Sequence, residues 1–191
     1  MRRGINVNVM MTNMPSSREE LFRVSEARNG WFRTADAVEA GVPRQQLARY
    51  VDNGVLRRLA HGVYRLRDFP AQPFEDVIGA CLWAGPDAVA SHDTALAVYG
   101  LGEVTPSVVH VTVPRRLRKR RDCVIVHTCL LSSRDVTVRD GVPVTAPART
   151  LRDCAADHPT EVVEKLIAEA LARGLLSRRV ADTIQTEVGD A

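Results

Sequence analysis

The stretch TADAVEAGVPRQQLARYVDNGVLRRLAHGVYRLR, residues 34–67, restricts the fold of this chain more than any other. Residues 34–40 have helical spacing and run into Gly41-Val42-Pro43. Residues 43–52 have it again and stop at Asn53-Gly54. Glycine supplies a tight turn without steric penalty, and proline is tolerated at the first position of a helix, where Pro43 is expected. Ala37, Val38, Leu47 and Val51 supply the apolar side of the pair. Leu56-Arg57-Arg58-Leu59 and Val63-Tyr64-Arg65-Leu66, around Ala60-His61-Gly62, then read as a hairpin. Two helices across a tight turn, followed by a basic hairpin, are the order of a winged helix-turn-helix.

The flanking sequence places this unit in a two-domain chain. Residues 1–16 have no period and predict a disordered lead-in. Ser16-Ser17 followed by Glu19-Glu20 is a helix start, with a capping hydroxyl and acids in the first turn. Leu21, Phe22, Val24 and Ala27 continue at helical spacing as far as Asn29-Gly30. Trp31-Phe32 is a short apolar bridge to Thr34, the expected cap of the next helix. Residues 68–73 contain Pro70 and Pro73 and mark a boundary between a winged helix-turn-helix domain at 17–69 and a second domain at 74–191. There, residues 74–84 have an amphipathic helical pattern, and Ser91 can cap a helix that closes at Gly100. Residues 108–113 and 123–131 read as strands joined by a basic run. Asp140-Gly141 is a turn before the short apolar Val142-Pro143-Val144. Helices are expected at 148–156, at 161–173 with Thr160 as cap, and at 175–186. The predicted class is α+β: an N-terminal winged helix-turn-helix followed by a smaller-sheet α/β C-terminal domain.

Composition narrows the partners. With 45% hydrophobic and 26% charged residues the chain is globular in kind. No apolar run approaches the roughly 18 residues of a membrane span, and no apolar leader follows Arg2 and Arg3. A cytoplasmic protein with reduced thiols at Cys81, Cys123, Cys129 and Cys154 is expected. The net charge of +3 conceals an asymmetry. Residues 1–70 hold 12 arginines against 7 acids, whereas residues 71–191 hold 14 basic against 16 acidic residues. Six of those fourteen are Arg115, Arg116, Arg118, Lys119, Arg120 and Arg121. Positive charge gathered into two foci suits a polyanion better than diffuse charge does.

On the second helix of the pair, Arg44, Gln45, Gln46 and Arg49 project mostly away from the apolar side. Arginine reads guanine and glutamine reads adenine through bidentate hydrogen bonds, each worth about 1–3 kcal/mol of discrimination. A polar face of this kind is also what solvation alone produces. The hairpin tips the balance: Arg57, Arg58, His61 and Arg65 crowd like charge onto a short ribbon, which is unfavourable in isolation and favourable beside phosphates. The predicted partner is double-stranded DNA, with the helix reading bases and the wing contacting phosphate or the minor groove. The run at 115–121 has two readings, a solvated mobile loop or a second contact with nucleic acid or an acidic partner.

Other constellations point away from catalysis. Ser91-His92-Asp93 has the residue types of a nucleophilic triad, but three consecutive side chains diverge and form no relay. Ser91 reads as a cap and His92 as a packing or surface residue. Cys123, His127 and Cys129 share strand parity with Ile125, and His110 lies on the probable partner strand, which makes a conceivable zinc set. No CxxC or HxxxH pair anchors it, so the face reads as mixed core with free thiols. No GxSxG, HExxH or phosphate-loop pattern occurs. A non-enzyme without metal or cofactor is expected.

Taken together these pieces resemble the AbiEi-type antitoxin family of bacterial type IV toxin–antitoxin systems. AGVPRQQLARYVDNGVLRRLAHGVYRL is similar to that family's winged-helix domain, including its Gly-Val-Tyr-Arg wing strand, here Gly62-Val63-Tyr64-Arg65. ASHDTALAVYGL at 90–101, VHVTVPR at 109–115 and DGVPVTAPARTLRDCA at 140–155 are similar to pieces of its C-terminal half. The resemblance spans roughly residues 17–160. It implies a repressor that binds inverted repeats in its own promoter, and a C-terminal domain that antagonises a nucleotidyltransferase-like toxin, with or without a stable complex. Some related chains continue into a nuclease-like domain after the ARTL segment; about 40 residues follow it here, which points away from that activity. Two alternatives stay open: an antitoxin acting through protein contacts, and a stand-alone winged-helix regulator without a toxin partner.

Overall fold

A computed structural model describes residues 16–189, so the expected lead-in, Ser16 apart, lies outside the described residues. Helix α1 (Ser17–Ser25) starts with the reciprocal box that its sequence predicts. Ser16 Oγ accepts from the Glu19 N–H at 3.3 Å, and Glu19 Oε2 accepts from the Ser16 N–H at 2.6 Å. A 3-10 turn follows at Glu26–Arg28. The apolar bridge Trp31-Phe32 is in fact a strand, β1 (Trp31–Arg33). Three residues are too few to display alternation, yet both aromatic side chains are fully buried, and in different cores. Successive strand residues point to opposite faces, so β1 joins two hydrophobic clusters back to back.

Helices α2 (Thr34–Glu39) and α3 (Arg44–Asp52) form the helix-turn-helix. Arg33, not Thr34, holds the cap position of α2: its N–H donates to Asp36 Oδ2 at 2.8 Å and its guanidinium to Oδ1 at 2.7 Å. Burial alone would raise the Asp36 pKa, but the hydrogen bonds and charge of Arg33, with Arg28 nearby, outweigh it and hold the carboxyl below its ordinary value. Gly41, at φ +84°, makes the turn. Pro43 caps α3 from an extended conformation, one position earlier than its sequence suggested. Ala37 and Leu47 are buried, whereas Val51 is half-buried and Val38 faces solvent. The wing is β2 (Leu56–Ala60) and β3 (Val63–Leu66), bulged between Arg58 and Ala60, with Gly62 at φ +75° near its tip. Strand β1 pairs antiparallel with β3, giving the order β1-β3-β2.

Helix α4 (Glu75–Ala84) is buried at every position from 77 to 84, so it is apolar all round rather than amphipathic. It packs against β1 and β3 on one side and against the second sheet on the other. Gly79 permits the approach: a Cβ there would collide with the Leu59 side chain of β2. The second sheet comprises β4 (Val89–Ala90), β5 (Val109–Val113), β6 (Val124–Thr128), β7 (Val136–Arg139) and β8 (Val142–Thr145), in the order β6-β5-β4-β8-β7. The β5–β6 and β4–β8 pairs are parallel, and the other two are antiparallel. Asp140 and Gly141, both at positive φ, make the tight hairpin turn between β7 and β8. Helices α5 (His92–Tyr99), α6 (Pro147–Ala155), α7 (Thr160–Ala172) and α8 (Arg178–Gly189) complete the domain. Pro159, not Thr160, holds the cap position of α7. The α+β reading and the winged-helix order hold. No helix among the described residues is long and apolar enough to cross a membrane.

Candidate nucleic-acid interface

The spacing of α3 decides which of its side chains face outward. At about 100° per residue, Arg44, Gln45, Ala48 and Arg49 share one side of a helix, and position 46 falls on the other. Arg44, Gln45 and Arg49 are exposed. Gln46 is not with them. Its Nε2 donates to Tyr50 Oη at 3.1 Å and its Oε1 accepts from Ser17 Oγ at 3.2 Å, so it ties α3 to α1. The helical angle was the signal that separates Gln46 from the reading set.

Cross-strand partners lie on one face of a sheet, and this divides the wing. Trp31, Arg65 and Arg57 stand opposite one another along β1, β3 and β2, in a row turned toward α4. Arg65 is 8% exposed. Its Nη2 lies 2.5 Å from Glu75 Oε1 and donates to the Phe69 and Pro70 carbonyls at 3.3 and 2.9 Å. The phosphate role expected of Arg65 is therefore corrected: strand parity turns it inward, onto Glu75 and the Trp31 ring. Arg57 shares that face but is exposed, with Nη2 3.8 Å from Glu75 Oε2. Arg58 and His61 are exposed on the wing, the guanidinium 2.9 Å from His61 Nδ1.

The basic run is part of a ten-residue crossover, 114–123, between two parallel strands. A connection of that kind must travel back along the strand, about 17 Å for five residues, so the run lies extended instead of forming a tight loop. It is also anchored. Leu117 packs on the large core, and the Lys119 ammonium donates to the Trp83 carbonyl and sits 4.9 Å above the Trp83 ring. Burial pushes the Lys119 pKa below its ordinary value. Arg115, Arg116, Arg118 and Arg120 are exposed and Arg121 is half-buried. Among the described residues none of the six basic side chains, nor Arg44, Arg49 or Arg58, has a carboxylate partner. A cavity of about 440 Å³, lined by Arg33, Arg44, His61, Trp83 and Lys119, connects the start of α3, the wing tip and the crossover. Arg44 and His61 of the first basic focus and Lys119 of the second thus line one cavity.

A second cluster was foreseen in part: the sequence set His110 against His127, but not His92. His92, His110 and His127 come together, from the first turn of α5, from β5 and from β6. His110 Nδ1 lies 3.1 Å from His127 Nε2, and the His92 ring stacks on that of His127 with centroids 3.6 Å apart. Burial, with His92 and His110 as neighbours, pushes the His127 pKa down to about 4, and burial lowers His92 as well. The cysteines of the conceivable zinc set stand apart. Cys123 is exposed, so it is no part of a core face, and the Cys129 thiol accepts from Arg149 Nη2 at 3.2 Å. Ser91 is fully buried; its Oγ lies 3.0 Å from His92 Nδ1 and accepts from Thr112 Oγ1 instead of capping α5. Asp93 pairs with His158 at 2.6 Å, so Ser91, His92 and Asp93 form no relay. Strand patterning brought His110 and His127 together, but nothing in the sequence announces that His92 joins them, since that depends on its φ of +50°.

A three-stranded wing behind a helix-turn-helix, with unpaired cations on its outer side and an α+β domain docked behind it, defines a winged-helix protein of the regulator kind. Family models give the particular group. Residues 19–67 match the model described as "Transcriptional regulator, AbiEi antitoxin", and residues 88–185 match "AbiEi antitoxin C-terminal domain". The chain belongs to the AbiEi antitoxin family, and the two matches together describe an antitoxin with a regulatory role. No curated protein matches the chain. Among solved structures it is similar to the RV2827C protein from Mycobacterium tuberculosis, at 13% identity over 91% of this chain and 82% of that one, with a TM-score of 0.44.

Proposed function

We propose that this protein binds double-stranded DNA in its own promoter as a sequence-specific repressor, and that it acts as the antitoxin to a nucleotidyltransferase-like toxin. The observation that carries the DNA reading is that Arg44, Arg49, Arg58 and the 115–121 run have no carboxylate partner among the described residues, while Arg44, His61 and Lys119 line one cavity. In this reading α3 enters the major groove, where Arg44, Gln45 and Arg49 contact base edges. Arg57, Arg58 and His61 contact phosphate or the minor groove beside it, and the crossover extends the phosphate track. Inverted repeats would place two chains on half-sites about 34–36 Å apart, or a multiple of that distance. Family membership supports the toxin partner, and no catalytic step is part of this reading.

The test is a binding titration with the DNA upstream of the gene at physiological salt, against a scrambled duplex of equal length. Tighter binding to the native fragment, weakened by Arg44→Ala/Arg49→Ala, supports the reading. Equal affinity for every duplex, or none, sinks it; if such a protein still neutralised a toxin, it would work through protein contacts.

A further inference from the structure

We propose that His92, His110 and His127 bind a divalent transition-metal ion of the zinc class. Their ligand nitrogens all lie within 4.8 Å of one another. His110 Nδ1 and His127 Nε2 are 3.1 Å apart, close to the roughly 3.3 Å between two nitrogens held at about 2.0–2.1 Å from one tetrahedral ion. The Nδ1 of His92 lies 3.0 Å from Ser91 Oγ, and in the tautomer in which Nδ1–H donates to that oxygen its Nε2 is the free ligand. Ser91 is fully buried and held by Thr112 Oγ1 at 2.8 Å, so the group that orients His92 is itself fixed, as metal-bound imidazoles require. Imidazole nitrogen suits zinc, copper, nickel and iron and not the hard oxygen-seeking cations. All three residues are partly exposed, which gives an ion a way in.

Two further observations, the backbone of His92 and an unpartnered carboxylate oxygen beside the cluster, support a cation. His92 sits at φ +50°, in the left-handed region that a side-chain-bearing residue keeps only when its surroundings impose it. Its ring stacks on His127 with centroids 3.6 Å apart, so ligation requires the His92 ring to turn until its in-plane lone pair meets the ion shared by His110 and His127. Beside the cluster, Asp153 has a buried carboxylate oxygen, Oδ2, without a hydrogen-bond partner, while its Oδ1 accepts from Arg149. The charges of Asp153 and Asp157 both act on His92, and that of Asp157 also on His127. An ion here would link the edge strand β6 to β5 and to the start of α5, so binding stabilises the C-terminal domain.

The test uses full-length protein without a polyhistidine tag, stripped with chelator and titrated with zinc chloride and, separately, cobalt chloride. The expected results are one equivalent bound at micromolar or lower concentration, a visible ligand-field spectrum with cobalt, and a higher melting temperature with zinc. In imidazole proton–nitrogen spectra of the unsubstituted protein, zinc should perturb His92, His110 and His127 and leave His61 unmoved. His127→Gln and His92→Gln should each abolish binding, and His158→Gln should retain it. No binding at micromolar zinc overturns the proposal. So does undiminished binding by folded His127→Gln and His92→Gln proteins, or loss confined to His158→Gln, which would assign the ion to the Asp93–His158 pair. The imidazole spectrum is read on the native chain, so a variant that fails to fold does not leave the question open.

Discussion

In the winged helix, Arg44, Arg49 and Arg58 stand exposed without a carboxylate partner among the described residues. In the C-terminal domain, Arg149 pairs with Asp153 at 2.8 Å, Arg152 with Glu187 at 2.6 Å and Arg173 with Glu169 at 3.1 Å. Arg173 also donates to the Tyr99 and Gly100 carbonyls and so pins α7 to the end of α5. The same side chain is a free hand at some positions and a staple at others, and staples occur in both halves, since Arg28 and Arg33 share Asp36 in the winged helix. What differs is the carboxylate within reach, which the local packing decides position by position. Two places show that reach, and not region, decides. Arg65 lies in the wing but faces Glu75, and is a staple. The 115–121 run lies in the C-terminal half without acidic partners, and resembles the wing.

The comparison breaks first at Arg65. Removing one member of a buried ion pair costs about 3–5 kcal/mol, because the other charge is left uncompensated. Glu75 is 19% exposed, so water offsets part of that, and Arg65→Ala should lose about 3 kcal/mol in urea unfolding. The folded fraction should bind DNA as wild type does. An Arg65→Ala protein of full stability with impaired DNA binding would make Arg65 a ligand and the division false. The reverse pattern belongs to Arg44→Ala/Arg49→Ala. At about 1–3 kcal/mol per bidentate contact, affinity for the promoter fragment should fall about 30-fold or more, with the melting temperature unchanged. A stability loss without an affinity loss would reassign both arginines to structure.

The sequence carried the order of the winged helix because its punctuation is local. Gly41, Gly54 and Gly62 each sit at positive φ where the sequence called for a turn. It carried the outward side of α3 for Arg44, Gln45 and Arg49, and helical angle alone would have withdrawn Gln46. It missed β1, since three residues show no alternation, and with it the partner that fixes the face of Arg65. It missed β7 for a related reason: Val136, Thr137, Val138 and Arg139 are all partly or well exposed on an edge strand, so no buried side marks them. Strand patterning paired His110 with His127, but the left-handed conformation that brings His92 to them has no local pattern to announce it.

Gly79 tests whether the two halves are coupled as their packing implies. Trp31 of β1 belongs to the core of the C-terminal domain, and α4 lies against the wing strands. Gly79→Ala would drive a methyl group into Leu59. Overpacking costs about 1–3 kcal/mol, and the flexible end of Leu59 can yield, so a loss near the lower end is expected, read as a fall in melting temperature. If stability is unchanged, the winged helix and α4 meet loosely, and Glu75 holds Arg65 without help from the packing around it.

The smallest expected effect concerns Arg118, exposed on the crossover. If the run follows phosphates, Arg118→Gln should reduce the slope of log affinity against log salt by about 0.9, and weaken binding roughly fivefold near 0.15 M salt. Native and scrambled duplexes should suffer alike, because a phosphate contact carries no sequence information. Arg44→Ala should instead lower the ratio between the two duplexes. An unchanged slope would mean that the absence of a carboxylate partner does not by itself make an arginine a ligand, and the rule drawn from the wing would stop at the edge of the winged helix.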